Sequence, residues 1–196
     1  NGDGTFRDIA TNAGVTNDRW TKAVVWGDYN NDTWPDLFVS NLRGNNRLLK
    51  NNGDQTFTDV AESSNVATPI NSFPAWFWDV NNDGNLDLFV ACYRGGIEEM
   101  AKIYLGRQVE IETAALYLGD GQGGFKNVAK EYGLRRPVPA MGSNFGDLDH
   151  DGFPDFYLGT GWPAYETLMP SVMYRNQGGT RFSDVTFSGG FGHVQK

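Results

Sequence analysis

The chain of 196 residues is long enough for one domain with a substantial core, and it is rich in glycine, with 25 residues, and in aromatic side chains, at 14%. This composition is typical of short strands joined by Gly, Asn and Asp turns, so we expect an all-β fold. The formal net charge of −8 argues against a nucleic-acid partner, and the single cysteine excludes an internal disulfide and a cysteine-based zinc site. No apolar run in this segment is long enough to span a membrane.

The first predicted element is a strand within residues 1–10, where a Gly-rich turn precedes Phe6 and a short apolar run. The same pattern recurs at 52–61, 120–129 and 177–186. Asn-Gly and Gly-Gly pairs ahead of the Phe are typical of hairpin turns. We therefore expect each Phe to open the last strand of a repeated unit, and residues 1–10 to be the last strand of a preceding unit.

A second recurring element is an acidic loop of nine residues, found at 28–36, 79–87 and 147–155. Oxygen-bearing side chains occupy positions 1, 3, 5 and 9 of each loop, and position 7 offers its backbone carbonyl. Calcium takes six to eight oxygen ligands, and short carboxylates on a tight turn supply them. Because Asp and Asn also favour turns, the alternative is a set of acidic surface turns. Three matches, each followed by an apolar strand, favour binding of up to three Ca²⁺ ions.

The predicted ligands repeat in the same order in each loop, and the ninth residue is expected to close the shell with both carboxylate oxygens. They are Asp28, Asn30, Asp32, Trp34 and Asp36 in the first loop, Asp79, Asn81, Asp83, Asn85 and Asp87 in the second, and Asp147, Asp149, Asp151, Phe153 and Asp155 in the third. Position 6 requires positive φ, which suits Gly84 and Gly152 but not Thr33, so the first site is expected to be the weakest. Three bound Ca²⁺ ions would change the formal charge from −8 to −2, so ligand charge accounts for most of the acidity.

The spacing between the two elements is constant. Each Phe precedes the next acidic loop by 22 residues, in the pairs Phe6 and Asp28, Phe57 and Asp79, and Phe125 and Asp147. A constant offset indicates one structural unit with four strands: one before the acidic loop, one after it, one before the Gly turn and one beginning at the Phe. Four-stranded units repeated radially are typical of a β-propeller. We predict blades at 22–62, 73–130 and 141–187, so that about three blades and one extra strand are present.

The segments that follow the acidic loops vary in length, and residues 92–114 and 159–171 are expected on the face opposite these loops. Residues 97–113 have the most helix-like composition in the chain. A helix here would either contact a partner or only cap the propeller face. Residues 162–165 form a second candidate contact surface, or a packed loop.

The acidic loop followed by Asp-Leu-Phe-Val, alternating with Asn-Gly-Asp-Gly-Thr-Phe, resembles the FG-GAP/VCBS repeats of integrin-type β-propellers. The stretches 139–147, 157–161 and 188–193 are similar to bacterial ASPIC/UnbV-type, cartilage-acidic-protein-like proteins. The resemblance implies a calcium-binding propeller of adhesion or scaffold type that is secreted, periplasmic or on the cell surface. Three blades and one strand do not close a ring, so residues 1–196 are expected to form part of a larger propeller.

No Ser-His-Asp set, phosphate loop or zinc spacing is present, so we expect an interaction module with a protein or glycan partner and no enzymatic activity. The alternative is part of a carbohydrate-binding or polysaccharide-degrading propeller, in which Tyr104, Trp162 and Tyr165 stack on sugars. A degrading enzyme would also need basic side chains clustered away from the acidic loops, and the sequence predicts no such cluster.

Overall fold

The computed structural model describes residues 1–161 and 169–192, without the side chains of residues 103 and 104. Within that part of the chain, twelve strands form three four-stranded antiparallel sheets, and the strands of each sheet are adjacent in chain order. The predicted all-β class, built of four-stranded blades, is confirmed. Two short helices, α1 (Ala10–Ala13) and α2 (Ile97–Tyr104), accompany the sheets, and α2 lies inside the predicted helical segment 97–113.

Each blade begins with a long first strand that runs into an acidic loop. The blades consist of β1 (Trp20–Gly27), β2 (Asp36–Leu42), β3 (Arg47–Asn51) and β4 (Phe57–Asp59), then β5 (Ser72–Trp78), β6 (Asp87–Cys92), β7 (Ala115–Gly119) and β8 (Phe125–Asn127), and last β9 (Ala140–Gly146), β10 (Asp155–Thr160), β11 (Val172–Asn176) and β12 (Phe182–Asp184). The first strands begin slightly before the predicted blade limits 22, 73 and 141.

The core lies between the blades. Strand β6 is buried along its whole length, since the middle blade is covered on both faces, and its continuous apolar run is typical of such a strand. Phe89 of β6 contacts Phe156 of the third blade, with ring centroids 5.0 Å apart. A second cluster between the first and middle blades contains Phe38, Leu88 and Tyr117. Each such side chain contributes about 1.5–3 kcal/mol on burial, so blade contacts stabilise the fold together with the sheets themselves.

The strand predicted over residues 1–10 is not formed. Residues 1–9 have no regular structure, Phe6 is 98% exposed, and α1 begins at Ala10. The last strand of a blade pairs only with the third strand of the same blade, as β4 does with β3. The described residues contain no third strand for residues 1–10, so this segment has neither a hydrogen-bonding edge nor an apolar surface to cover Phe6.

Candidate metal centre

The three acidic loops occupy the same place in their blades, between the first and second strands. They also share an unusual backbone, because positions 4 and 6 have positive φ in all three loops. These values are 57° at Asn31 and 74° at Thr33, 60° at Asn82 and 88° at Gly84, and 60° at His150 and 89° at Gly152. The prediction for position 6 therefore holds even where the residue is Thr. Position 4 was missed, although two Asn residues there were a signal, since Asn tolerates the left-handed region better than most residues.

The first carboxylate of each loop orders the turn from inside. Asp147 accepts hydrogen bonds from the amides of Asp151 and Gly152, at 3.1 and 3.0 Å. The carboxylate at position 5 accepts a hydrogen bond from the amide of position 7, as Asp151 does from Phe153 at 2.9 Å. The other two loops repeat both contacts, with Asp28 and Asp79 at position 1. This geometry holds the carboxylates of positions 1 and 5 on the concave side of the turn.

The ninth residue has a role that the sequence did not indicate. Asp87 is buried, and its two oxygens accept hydrogen bonds from the amides of Val80 and Gly119, both at 2.9 Å. It therefore ties the start of the acidic loop to the end of the third strand. Asp155 does the same with Leu148 and Asn176, at 3.1 and 2.8 Å.

Asp36 completes only half of this pattern. Its Oδ1 accepts from the Asn51 amide at 2.8 Å, whereas Oδ2 is buried and has no hydrogen-bond partner among the described residues. The Tyr29 amide faces this carboxylate closely enough to help lower its pKa, but it does not form a hydrogen bond of normal geometry. A buried carboxylate oxygen without a partner is costly, and a cation is one group that would satisfy it.

Burial raises the pKa of Asp36 and of Asp87 to about 6, and backbone hydrogen bonds only partly oppose the rise. The neighbouring carboxylates of the same loops raise it further. The pKa of Asp155 is raised for the same reasons. A nearby cation favours the charged form of a carboxyl group, so protons and a metal ion would compete for these sites.

The third loop brings three carboxylates together. Ligand oxygens of Asp147, Asp149 and Asp151 all lie within 4.8 Å of one another. Two oxygens bound to one calcium at about 2.4 Å each can be at most about 4.8 Å apart, so these three groups fit around a single ion. Asp155 is not part of this trio. Both of its oxygens accept backbone hydrogen bonds, and its bidentate role stays a prediction.

Position 3 is Asn in the other two loops, where its side-chain amide donates a hydrogen bond to the carboxylate at position 5. Asn30 donates to Asp32 at 3.0 Å, and Asn81 donates to Asp83 at 2.9 Å. In the third loop, Asp149 cannot donate and instead forms an ion pair with Arg175 of β11. The side-chain oxygen of each Asn points into the turn and accepts a hydrogen bond from the backbone amide of position 5. Position 3 therefore presents an oxygen atom in all three loops.

The loops form one continuous face with the Gly turns. The Asn31 side chain donates to Asn85 of the next loop at 3.1 Å, and Asn82 donates to the carbonyl of Gly152 at 3.0 Å. A Cβ atom at Gly179 would stand 2.7 Å from the Cα of Asn81, so the Gly turn of the third blade packs directly on the second loop.

The expectation that no basic cluster forms away from the acidic loops is wrong. Arg107, Lys130, Arg135 and Arg136 line one cavity of about 620 Å³. The pair at 135–136 is visible in the sequence, but only the fold brings Arg107 to it from a different connection. Other predicted contact residues, Trp162 and Tyr165 and the side chain of Tyr104, lie outside the described residues.

The family model for the FG-GAP-like repeat matches residues 28–90 and 79–158, which include all three acidic loops. Human cartilage acidic protein 1 is 33% identical over 91 residues, which cover 46% of this chain and 14% of that protein. Mouse cartilage acidic protein 1 is 32% identical over 91 residues, which again cover 46% of this chain and 14% of that protein. The chain thus matches about a seventh of the length of these relatives. Among the described residues, no helix combines the length and the apolar character needed to cross a membrane. The extent of the family match establishes that the chain belongs to the FG-GAP-like repeat family.

Proposed function

We propose that the chain is a calcium-binding, non-catalytic interaction module of adhesion or scaffold type, secreted, periplasmic or on the cell surface. Residues 1–196 form part of a β-propeller in this proposal, with blades at 22–62, 73–130 and 141–187. The observation that carries it is the convergence of Asp147, Asp149 and Asp151 in a turn whose backbone is repeated in the other two loops.

Up to three Ca²⁺ ions would be held by the side chains of positions 1, 3, 5 and 9 and the carbonyl of position 7. A bound ion supplies positive charge where carboxylates otherwise repel one another. It would stabilise the hairpin between the first two strands of each blade. Through the contacts of Asn31 with Asn85 and of Asn82 with Gly152, this effect reaches the next blade.

A structural role for calcium supports the non-catalytic part of the proposal. The carboxylates that would serve as acids or bases are engaged in the turns or buried, and a carboxylate bound to calcium is a poor proton donor. Extracellular modules commonly bind calcium with dissociation constants of about 10⁻⁴–10⁻³ M, which suits a location outside the cytosol. The partner proposed for such a module is a protein or a glycan.

The test is calorimetric titration of the calcium-depleted protein with Ca²⁺ and, separately, Mg²⁺. We expect up to three calcium sites and a higher melting temperature in calcium, since a ligand that binds only the native state stabilises it. Asp147→Asn should remove or weaken one site. Glu131→Gln removes the same charge from an exposed residue outside the loops and serves as the control. No calcium-dependent heat together with an unchanged melting temperature would contradict the proposal.

A further inference from the structure

We infer that the face opposite the acidic loops carries a binding site for a sulfated, anionic glycan. The site is the cavity lined by Arg107, Lys130, Arg135 and Arg136, which we call the basic groove. The inference rests on the proposed role as an interaction module and goes beyond it by naming the class of ligand and the residues that bind it.

The basic groove lies far from the candidate calcium loops. Strand β6 leaves the second acidic loop at Asp87, and the segment that contains Arg107 follows the far end of this strand. Lys130, Arg135 and Arg136 follow β8, which runs back from the Gly turn next to Asn85. Both segments therefore reach the face on which connections vary in length, the usual place for recognition residues.

The groove has more positive charge than its own acidic side chains compensate. Arg135 pairs with Glu110 at 3.6 Å, and Arg136 pairs with Asp184 at 2.6 Å. Arg107 and Lys130 form no ion pair with any described residue. Two cations are thus left over on a protein whose formal charge is −8.

One donor in the groove has no partner in the described part of the chain. The Nε of Arg136 is buried and makes no hydrogen bond, although the guanidinium of the same residue is fixed by Asp184. A buried donor without an acceptor is unfavourable. An oxyanion that reaches this guanidinium would supply the acceptor, and the planar Arg side chain is well shaped for bidentate contacts with sulfate or carboxylate groups.

The shape of the groove favours a glycan over an acidic peptide. Its volume of about 620 Å³ is within the range of small-molecule sites and accommodates a short oligosaccharide. Val109 and Pro137 contribute apolar surface for the faces of sugar rings. The lining residues belong to irregular segments and turns, so no strand edge is present there to pair with a peptide backbone.

The overall negative charge does not prevent such binding. The six residues of β6 span about 20 Å, and this strand separates the acidic face from the groove. At physiological ionic strength the Debye length is about 8 Å, so the acidic loops are largely screened at that distance. Calcium in the loops would reduce their charge further.

The test is calorimetric titration of the whole chain with a heparin-derived octasaccharide in about 150 mM NaCl, in calcium and in calcium-free buffer. We expect saturable binding under both conditions. The double variant Arg107→Ala and Lys130→Ala should bind about tenfold more weakly, while both remaining ion pairs stay intact. The control is Lys126→Ala with Arg181→Ala, which removes the same charge from exposed residues outside the groove and should bind within about twofold of the parent.

Several outcomes would overturn the inference: no saturable binding, equal loss in the two double variants, or tighter binding of a polyglutamate peptide of matched charge. Calcium titration of the same variants separates the two proposals. Intact calcium binding without glycan binding refutes only the proposal that the basic groove binds a glycan. Glycan binding by a chain that takes up no calcium refutes only the metal proposal.

Discussion

The guanidinium of Arg175 contacts the carboxylate of Asp149, so a cation from a neighbouring strand already pairs with the third acidic loop. Arg175 lies on β11 and is half exposed, and Asp149 is at position 3 of the loop. The first loop has a weaker counterpart, because Lys50 approaches Asp32 to 4.0 Å. Each of these cations would oppose the entry of Ca²⁺ in the proposed sites, because it pairs with a carboxylate of the turn.

Removing the cation should therefore tighten the third site. We expect Arg175→Gln to raise its calcium affinity by about two- to tenfold, a modest gain because solvent screens a half-exposed charge. Calorimetric titration in low salt measures the effect. Arg181→Gln makes the same charge change without a contact to Asp149, and its affinity should match the parent. An affinity that falls in Arg175→Gln would show that the ion pair orders the loop for calcium.

The positive φ at Thr33 predicts a second gain in calcium affinity, at the first site. A residue with a Cβ atom at φ of 74° costs roughly 1–2 kcal/mol, so Thr33→Gly should strengthen the first site and raise the melting temperature in calcium. Thr33→Ala is the matched control, since it removes the branched side chain but keeps the Cβ atom. Equal effects in the two variants would show that the side chain, and not the backbone conformation, limits this site.

The tether role of Asp87 is separable from metal binding. Asp87→Ala leaves the amides of Val80 and Gly119 buried without acceptors, which costs on the order of 1–3 kcal/mol for each group. We expect a large loss of stability to urea even in calcium-free buffer. Asp79→Asn, which changes a partly exposed carboxylate at position 1, should lower the stability far less in that buffer. Unchanged stability of Asp87→Ala in calcium-free buffer would mean that Asp87 acts only through the ion.

Acid should stabilise the calcium-depleted protein over one pH window. The pKa of Asp36 and Asp87 is about 6 in the folded state and about 4 in an unfolded chain, so between these values the folded state binds more protons. Stability from these groups therefore falls as pH rises from about 4 through 6.

Melting curves in metal-depleted buffer check this sign. We expect a higher melting temperature at pH 5 than at pH 7, and a smaller difference in Asp87→Asn. Saturating calcium should reduce the difference as well, because the ion replaces the proton as the partner of the buried carboxylates. A melting temperature that falls on acidification of the metal-depleted protein is the opposite result.

Repetition explains why much of this architecture could be predicted from the sequence. The constant offset of 22 residues located the strands on both sides of each acidic loop, because a repeated unit must repeat its contacts. Residues 1–10 carry the same pattern but form no strand, because no segment among the described residues pairs with them. A β-strand forms only where a second segment pairs with it, so the repeat pattern in one segment does not by itself predict a strand.

The repeat pattern did not predict contacts between residues that are far apart in the sequence. Asp87 looked like one more ligand, yet its hydrogen bond to Gly119 joins residues 32 positions apart. The basic groove likewise combines Arg107 from one connection with Lys130 from another. Composition and charge do not predict that Arg107 and Lys130 are close. They come together because the chain runs through β7 and back through β8 to the end of the blade at which β6 finishes.

The contacts of Asn31 with the second loop and of Asn82 with the third loop point the same way along the chain. In each of these hydrogen bonds the donor is at position 4 of one loop and the acceptor belongs to the following loop. The middle blade thus carries both a donor for its successor, Asn82, and an acceptor for its predecessor, Asn85. A duplicate of this blade would bring both the donor and the acceptor of these interblade hydrogen bonds with it. The number of blades could therefore grow by gene duplication without new contacts having to evolve. The acidic loop is the part that must keep its length for this to work, whereas the opposite connections are free to diverge.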